Sequence, residues 1–209
     1  QQSSQEPLRG SKGCYYEGGI REPMLVRWPG VVKPGSTCET PVSNIDFYPT
    51  FLALAGAPKP TDYPLDGASL MPLFRALPAL ADRAVYWHFP GYLDDPAVRG
   101  RDPVFRTRPV TVMRKGDWKL FLYHEEWQLD GGWEKRQSNA AVELYNLRED
   151  IGERVDLMQA EPARRDAMLR EMLAWMQNVG ATMPSARNPQ FAPAVGTKRF
   201  PAPGSDVKP

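Results

Sequence analysis

The chain has 209 residues, and its 26 Lys and Arg against 25 Asp and Glu give a formal net charge of +1. This balance gives no electrostatic reason to expect nucleic acid or an anionic membrane surface as a partner. No apolar run approaches the ~20 residues that span a bilayer, so no membrane span is predicted. The length is sufficient for one or two domains with a sizeable core.

The first informative stretch is a glycine-rich loop, residues 9–23, which reads RGSKGCYYEGGIREP. Glycine adopts backbone angles that are closed to other residues, so such a loop can hold one exposed charge close to another surface. Lys12 is the candidate, because its ammonium can meet an anion as a compact point charge. Arg21 or Arg27 is expected to pair with a neighbouring glutamate and fix the loop. The apolar run that follows, Pro23–Trp28, predicts a strand of a mostly buried sheet.

A helix is predicted from residue 43 to Ala55, with Ser43 or Asn44 as its N-cap and Gly56 as its C-cap. Asp46 falls in the first turn, where we expect it to cap the helix rather than to catalyse. Apolar residues recur at helical spacing and should face the core: Ile45, Tyr48, Phe51, Leu52 and Ala55. Residues 65–74 are expected to form a structural turn and a short helix.

Four strands and one long helix are predicted in residues 79–183. The strand segments are 83–89, 109–114, 118–123 and 142–147, and the two middle ones form a hairpin around Lys115-Gly116-Asp117. The polar segment 125–140 is expected to be a long excursion of the hairpin edge. A helix with a broad apolar face is predicted over 162–179, beginning at Pro162. Sheet and helix together predict an α+β layer pair, followed by an extended or disordered tail over 184–209.

Residues 9–23 satisfy every fixed position of the pattern R-G-x-K-G-x-x-x-E-G-G-x-R-x-P, and a strand-like run ending in W-P-G follows. This text resembles the late-chain signature of the type I sulfatases, the formylglycine-dependent sulfate ester hydrolases of the alkaline phosphatase superfamily. The resemblance implies an α/β fold in which residues 1–78 are the C-terminal end of an alkaline-phosphatase-like sandwich. Residues 79–183 would then be the small C-terminal α+β subdomain, with a four-stranded antiparallel sheet and one long helix. By the same resemblance, Lys12 would contact the sulfate in the active site.

Two parts of the family's machinery have no counterpart in the sequence. It contains neither a C-x-P-S-R nor an S-x-P-x-R nucleophile motif, and the acidic metal ligands are not found. The resemblance therefore implies the C-terminal portion of a sulfatase, inactive alone, with formylglycine and Ca²⁺ held by a missing N-terminal domain. It also implies a sulfated carbohydrate or an aryl sulfate as substrate, and a periplasmic or extracellular location for the full-length protein.

Histidines and arginines supply the further candidate site residues. His88 ends a predicted strand, and the segment Y-W-H-F-P resembles one that faces the substrate pocket in polysaccharide-directed sulfatases; an imidazole there could bind a sugar hydroxyl or a sulfate oxygen. His124, beside two glutamates, is expected to face solvent. Arg99 and Arg101 are expected to bind a polyanionic sugar, since guanidinium pairs bidentately with sulfate or carboxylate. Arg106 and Arg108 lie in the same loop and would belong to the same binding edge. The alternative is a solvated loop whose charges are balanced by Asp94, Asp95 and Asp102.

Two other functions stay open at this point. One is a phosphoester or phosphonate hydrolase of the same superfamily, and the other is a non-catalytic carbohydrate-binding module. The two cysteines, Cys14 and Cys38, lack metal-ligand spacing, and although a disulfide is possible we expect free, part-buried thiols.

Overall fold

The computed structural model describes residues 5–80, 82–97, 99–184 and 188–189. It divides into two compact units, one drawn from residues 1–21 and 86–209 and the other formed by residues 22–85. This division differs from the predicted domains 1–78 and 79–183, because the glycine-rich loop packs with the later sheet. The predicted tail, 184–209, lies outside the described residues except for residues 184, 188 and 189.

Among the described residues, four of the six strands were predicted from the sequence, whereas the two short strands at 93–94 and 105–107 were not. In chain order the strands are β1 (Ala84–Phe89), β2 (Leu93–Asp94), β3 (Phe105–Thr107), β4 (Val110–Lys115), β5 (Trp118–Tyr123) and β6 (Val142–Asn146). One sheet has the order β1-β4-β5-β6, and β2 with β3 forms a separate ribbon. The pairs β4–β5 and β5–β6 are antiparallel, and Lys115 opposite Trp118 closes the predicted hairpin.

The sheet is covered on both faces, which explains why β4 and β5 read as almost continuous apolar runs. One face carries a core cluster of eight buried residues: Cys14, Tyr16, Val110, Val112, Phe121, Tyr123, Tyr145 and Leu147. The long helix, Pro162–Asn178, packs on β5 with Met168, Leu169 and Met172 buried. The predicted layer pair of sheet and helix is therefore confirmed.

One predicted irregular segment contains a helix instead. Residues 125–140 were expected to be a polar excursion, but a helix runs from His124 to Leu129. The expectation that His124 faces solvent is also wrong, since its exposed fraction is 0%. The ring is held against β4 instead, since His124 Nε2 lies 2.8 Å from the Thr111 hydroxyl and the His124 amide donates to the Pro109 carbonyl at 3.0 Å.

The second unit is organised around one carboxylate. A 3₁₀ turn at Asn44–Asp46 leads into a helix at Phe47–Ala55, and a second short helix spans Met71–Phe74. The Asp46 carboxylate accepts hydrogen bonds from the amides of Ser43 (2.8 Å) and Ala68 (2.9 Å) and pairs with Arg83. Asp46 is thus a capping residue, as predicted, and the helix ends at Gly56 in the left-handed conformation.

Two expectations for the second unit are wrong. Residues 23–28 form no strand, and the side chain of Leu25 is 96% exposed; among the described residues no strand pairs with this segment, and a strand needs a ladder partner for its backbone groups. The apolar positions of the helix do not face a core, since Phe51 is 60% exposed while Pro49 and Thr50 are buried. The buried side of the helix is fixed by the Thr50 hydroxyl, which donates to the Asp46 carbonyl at 2.6 Å and accepts from the Leu70 amide at 2.9 Å.

Cys14 and Cys38 are both free thiols, as expected. The expectation that they are partly buried is wrong, since Cys14 is buried and Cys38 is exposed. In the part of the chain that is described, no helix is both long and apolar enough to cross a membrane.

Candidate functional site

Arg9 fixes the start of the glycine-rich loop against the sheet. It is 5% exposed, and its guanidinium lies 3.7 Å from the centre of the Tyr16 ring. It donates to the hydroxyl of Tyr145 (2.9 Å) and to the carbonyls of Glu153 (3.1 Å) and Arg99 (3.0 Å). A cation stacked and hydrogen-bonded in this way holds the chain against the sheet.

Glu17 anchors the end of the loop through a buried ion cluster. Its Oε1 accepts a hydrogen bond from Lys119 Nζ at 3.0 Å, and the same ammonium lies 2.8 Å from Glu153 Oε1. The Glu17 amide also donates to Glu153 Oε2 at 2.6 Å. All three side chains are at most 1% exposed. Arg114 (3.3 Å) and Arg21 (3.4 Å) complete the pairing of Glu17, as was expected for Arg21.

The two carboxylates of this cluster are held differently. Burial opposes ionisation of Glu17, but the charges of Lys119 and Arg114 lower its pKa below the ordinary value. Burial raises the pKa of Glu153 to about 7, because Lys119 and the hydrogen bond from the Glu17 amide offset the desolvation only in part and the negative charge of Glu17 adds to it. The proton that this cluster takes up near neutrality therefore belongs to Glu153.

Lys12 is left exposed at the tip of the anchored loop. A Cβ on Gly19 would lie 2.1 Å from the Cys14 carbonyl oxygen, so the loop closes on itself in a way only glycine permits. The backbone carbonyl of Lys12 accepts from Arg106, but its ammonium has no hydrogen-bond or ion-pair partner in the described part of the chain. The loop therefore presents an uncompensated cation on a rigid support, which is an arrangement suited to an anion.

The two arginines predicted to bind substrate are engaged inside the protein. Arg99 donates to the Leu8 carbonyl at 2.6 Å and lies 3.9 Å from Glu6. Arg101 pairs with Glu143 (2.5 Å) and Glu126 (3.0 Å), and its side chain is 10% exposed. Their substrate-binding role stays a prediction, and it would require these contacts to be shared with a ligand.

A small cavity of about 20 Å³ borders this arginine cluster and has room for roughly one water molecule, not for a sugar. Its lining is polar and aromatic: Cys14, Tyr15, Tyr16, Arg101, Asp102, Arg106, Thr107, Arg108, Val110, Phe121 and Tyr123.

His88 and His124 meet at one threonine. The Thr111 hydroxyl lies 2.9 Å from His88 Nδ1 and 2.8 Å from His124 Nε2, and His88 Nε2 lies 2.9 Å from the Thr182 carbonyl. Because a carbonyl only accepts, His88 Nε2 donates to Thr182, the hydroxyl donates to His88 Nδ1, and His124 Nε2 donates to the hydroxyl. Burial, with the nearby His88 adding, lowers the pKa of His124 to about 3, so that ring is neutral. Both nitrogens of His88 are occupied, and its contact with substrate stays a prediction.

Sequence reasoning missed the buried partners of the loop. Lys119 sits in the apolar pattern of β5 and Glu153 in a turn, and neither position has a signal that distinguishes it from a solvated charge. Ca²⁺, which the sulfatase resemblance implies, finds no ligand set here: among the described residues, no three His, Cys, Asp or Glu side chains are grouped to hold a metal ion.

The chain is similar to known proteins over most of its length. A family model described as N-sulphoglucosamine sulphohydrolase, C-terminal, matches residues 11–178. The chain is 34% identical over 189 residues to a sulfatase of Formosa agariphila, covering 83% of the chain and 30% of that protein. It is 37% identical over 159 residues to human arylsulfatase A, covering 72% of the chain and 29% of the relative.

Among solved structures, Ps i-CgsB in complex with k-i-k-neocarrahexaose is similar at 30% identity and a TM-score of 0.63, covering 86% of this chain and 34% of that one. The chain thus spans about a third or less of the length of these relatives. The resemblance of residues 9–23 to the sulfatase signature is confirmed, and the fold is that of the corresponding part of an alkaline-phosphatase-like enzyme. The chain belongs to the sulfatase family, in which it matches the C-terminal region.

Proposed function

We propose that this chain acts as the C-terminal part of a sulfatase that hydrolyses sulfate esters of a carbohydrate, with Lys12 contributing a positive charge to the sulfate site. The carrying observation is that Arg9 and Glu17 are buried in ion pairs and ring contacts, whereas Lys12 is exposed and unpaired among the described residues. The similarity to Ps i-CgsB, which was solved in complex with k-i-k-neocarrahexaose, supports a carbohydrate substrate.

Lys12 suits this role on physical grounds. A fixed cation stabilises the charge that develops on sulfate oxygens without reorganising during the reaction, and it does so far better where water is excluded. The loop anchored by Arg9 and Glu17 provides the fixed support. We assign Lys12 to charge stabilisation and not to proton transfer.

The remaining machinery is assigned to residues outside those described. Formylglycine would supply the nucleophile and Ca²⁺ would neutralise sulfate oxygens, both held by an N-terminal domain. On this proposal the 209-residue chain is inactive alone, and the full-length protein works in the periplasm or outside the cell. His88, Arg99 and Arg101 stay candidates for substrate contact.

The test uses the full-length gene product with 4-nitrophenyl sulfate and sulfated oligosaccharides, and compares wild type with Lys12→Ala. We expect kcat to fall by roughly 10²–10³-fold, the usual cost of removing one transition-state charge contact. Lys59→Ala is the matched control, since Lys59 is an exposed loop lysine of the second unit, and it should keep activity within about twofold.

Three outcomes would contradict the proposal in different ways. Full activity of a folded Lys12→Ala variant would remove Lys12 from the sulfate site. Phosphoesterase activity without sulfatase activity would support the superfamily alternative. Binding of sulfated oligosaccharides without hydrolysis of either ester would support the non-catalytic module.

A further inference from the structure

We propose that Arg106 forms a second anion-binding position beside Lys12, which takes a further sulfate or a carboxylate of the same sugar chain. Since Lys12 marks the position of the reacting sulfate, this rests on the proposed function. Arg106 would then favour polyanionic carbohydrates over esters that carry a single negative charge.

The loop at Lys12 is joined directly to the chain at Arg106. Arg106 Nη1 donates to the Lys12 carbonyl at 3.2 Å, and the thiol of Cys14 lies 3.4 Å from the Arg106 carbonyl. Between them, the Thr107 hydroxyl donates to the Gly13 carbonyl at 2.5 Å. Three successive contacts therefore fix the two segments, 94 residues apart in sequence, against each other.

The stem of Arg106 lies over Gly13. A Cβ at Gly13 would come within 2.7 Å of Arg106 Cδ, and the residue has a φ of 89°. Glycine at this position permits both the turn and the close passage of the arginine stem. The guanidinium is thereby directed along the same loop tip that presents Lys12.

The guanidinium of Arg106 has N–H donors that are not hydrogen-bonded and a positive charge that is not paired within the described part of the chain. Nε donates to the Asp95 carbonyl at 3.1 Å and Nη1 to the Lys12 carbonyl, both neutral acceptors. A guanidinium has five N–H donors, so three are unused within the described part of the chain. Neither Asp94 nor Asp95 brings a carboxylate within ion-pair distance of Arg106, although both side chains are exposed, one at the end of β2 and the other just after it.

The other three arginines of this loop differ from Arg106 because each of them has a carboxylate nearby. Arg101 and Arg108 pair with buried glutamates, and Arg99 lies near Glu6. Among the four arginines of this loop, Arg106 is the one for which the described residues supply no carboxylate. An arginine in that state pairs bidentately with sulfate or carboxylate, and its contact with Lys12 limits that anion to the same or an adjoining sugar.

The experiment measures kcat, KM and, by calorimetry, Kd for the full-length protein with matched disaccharides of the carrageenan and heparin types that differ by one sulfate. Arg106→Gln is compared with wild type, with Arg106→Lys, and with the control Arg148→Gln, an exposed arginine that pairs with Asp117. We expect Arg106→Gln to raise KM and Kd for the more sulfated member about tenfold, the value of a charge-assisted hydrogen-bond pair, with little change for the less sulfated member. Arg106→Lys, which keeps charge but loses the fork, should recover part of the loss.

Equal losses on both members of a pair would overturn the proposal, because Arg106 would then act only by holding the Lys12 backbone. A wild type without preference for the more sulfated member would overturn it as well. If the wild type hydrolyses no sulfate ester, the proposed function fails and only the Kd values test the role of Arg106. A preference of the wild type for the more sulfated member that is lost in Arg106→Gln supports the anion-binding position. Unchanged binding in Arg106→Gln refutes it.

Discussion

The two compact units reach their folds by different means. The first buries an apolar sheet and helix, and also places Glu17, Lys119 and Glu153 in its interior. In residues 22–85, by contrast, the centre is the carboxylate of Asp46, and many large apolar side chains are exposed: Met24, Leu25, Val26, Ile45, Phe47, Tyr48, Phe51, Leu54, Tyr63 and Leu77. An apolar sequence pattern thus identifies a core only where another element covers it, and exposed apolar surface of this extent is typical of interaction surfaces and of aggregation-prone fragments.

The largest expected stability effect lies in the ion cluster of the first unit. Lys119→Met would leave two carboxylates buried without their ammonium and should destabilise the chain by about 3–5 kcal/mol, as breaking a buried ion pair does. Lys135→Met is the matched control, because its pair with Asp130 is exposed and should cost at most about 1 kcal/mol. Urea unfolding of both variants makes the comparison, and equal midpoints would show that the buried cluster adds no stability.

The same cluster gives the first unit a pH dependence. The folded-state pKa of Glu153, about 7, lies above its ordinary value of 4.5, so its contribution to stability is full below about 4.5 and is lost as pH rises through 7. The loss amounts to at most about 3 kcal/mol. Glu17, whose pKa is lowered, acts in the opposite sense and loses its contribution as pH falls.

Unfolding free energies at pH 5 and pH 8 test this dependence. In Glu153→Gln the decrease between the two values should largely disappear, whereas Glu171→Gln, on an exposed pair with Lys115, should keep it. A wild type that is no less stable at pH 8 than at pH 5 would contradict the assignment of the proton to Glu153.

A smaller effect on stability is expected in the second unit, which is held together by the contacts of the Asp46 carboxylate and not by an apolar core. Asp46→Ala in the 209-residue chain removes the cap and the partner of Arg83, and should cost about 2 kcal/mol. Phe51→Ser, at a 60% exposed position, should change stability by less than about 0.5 kcal/mol. Hydrogen exchange at the amides of Ala68 and Leu70 reports on both, and faster exchange in Phe51→Ser than in Asp46→Ala would show that the unit has an apolar core after all.

Local signals determined much of this chain. The spacing of apolar residues placed β4, β5, β6 and the long helix Pro162–Asn178 within a residue or two of their observed bounds. The capping box at Ser43 and Asp46 and the hairpin turn at Gly116 depend on residues a few positions apart. The sulfatase signature identified the family from fifteen contiguous residues, because a loop with fixed backbone requirements leaves a dense local pattern.

Only the tertiary structure decided which charges are structural and which are available. Lys119 and Glu17 are 102 residues apart in sequence, and Arg106 lies 94 residues from Lys12. Spacing along a chain carries no information about such pairs, and a buried lysine inside a strand reads like a solvated one. For the same reason the sequence grouped four arginines in one loop, and the fold separated three with nearby carboxylates from Arg106. Which apolar runs become core was decided likewise, because burial requires a second surface that no local pattern specifies.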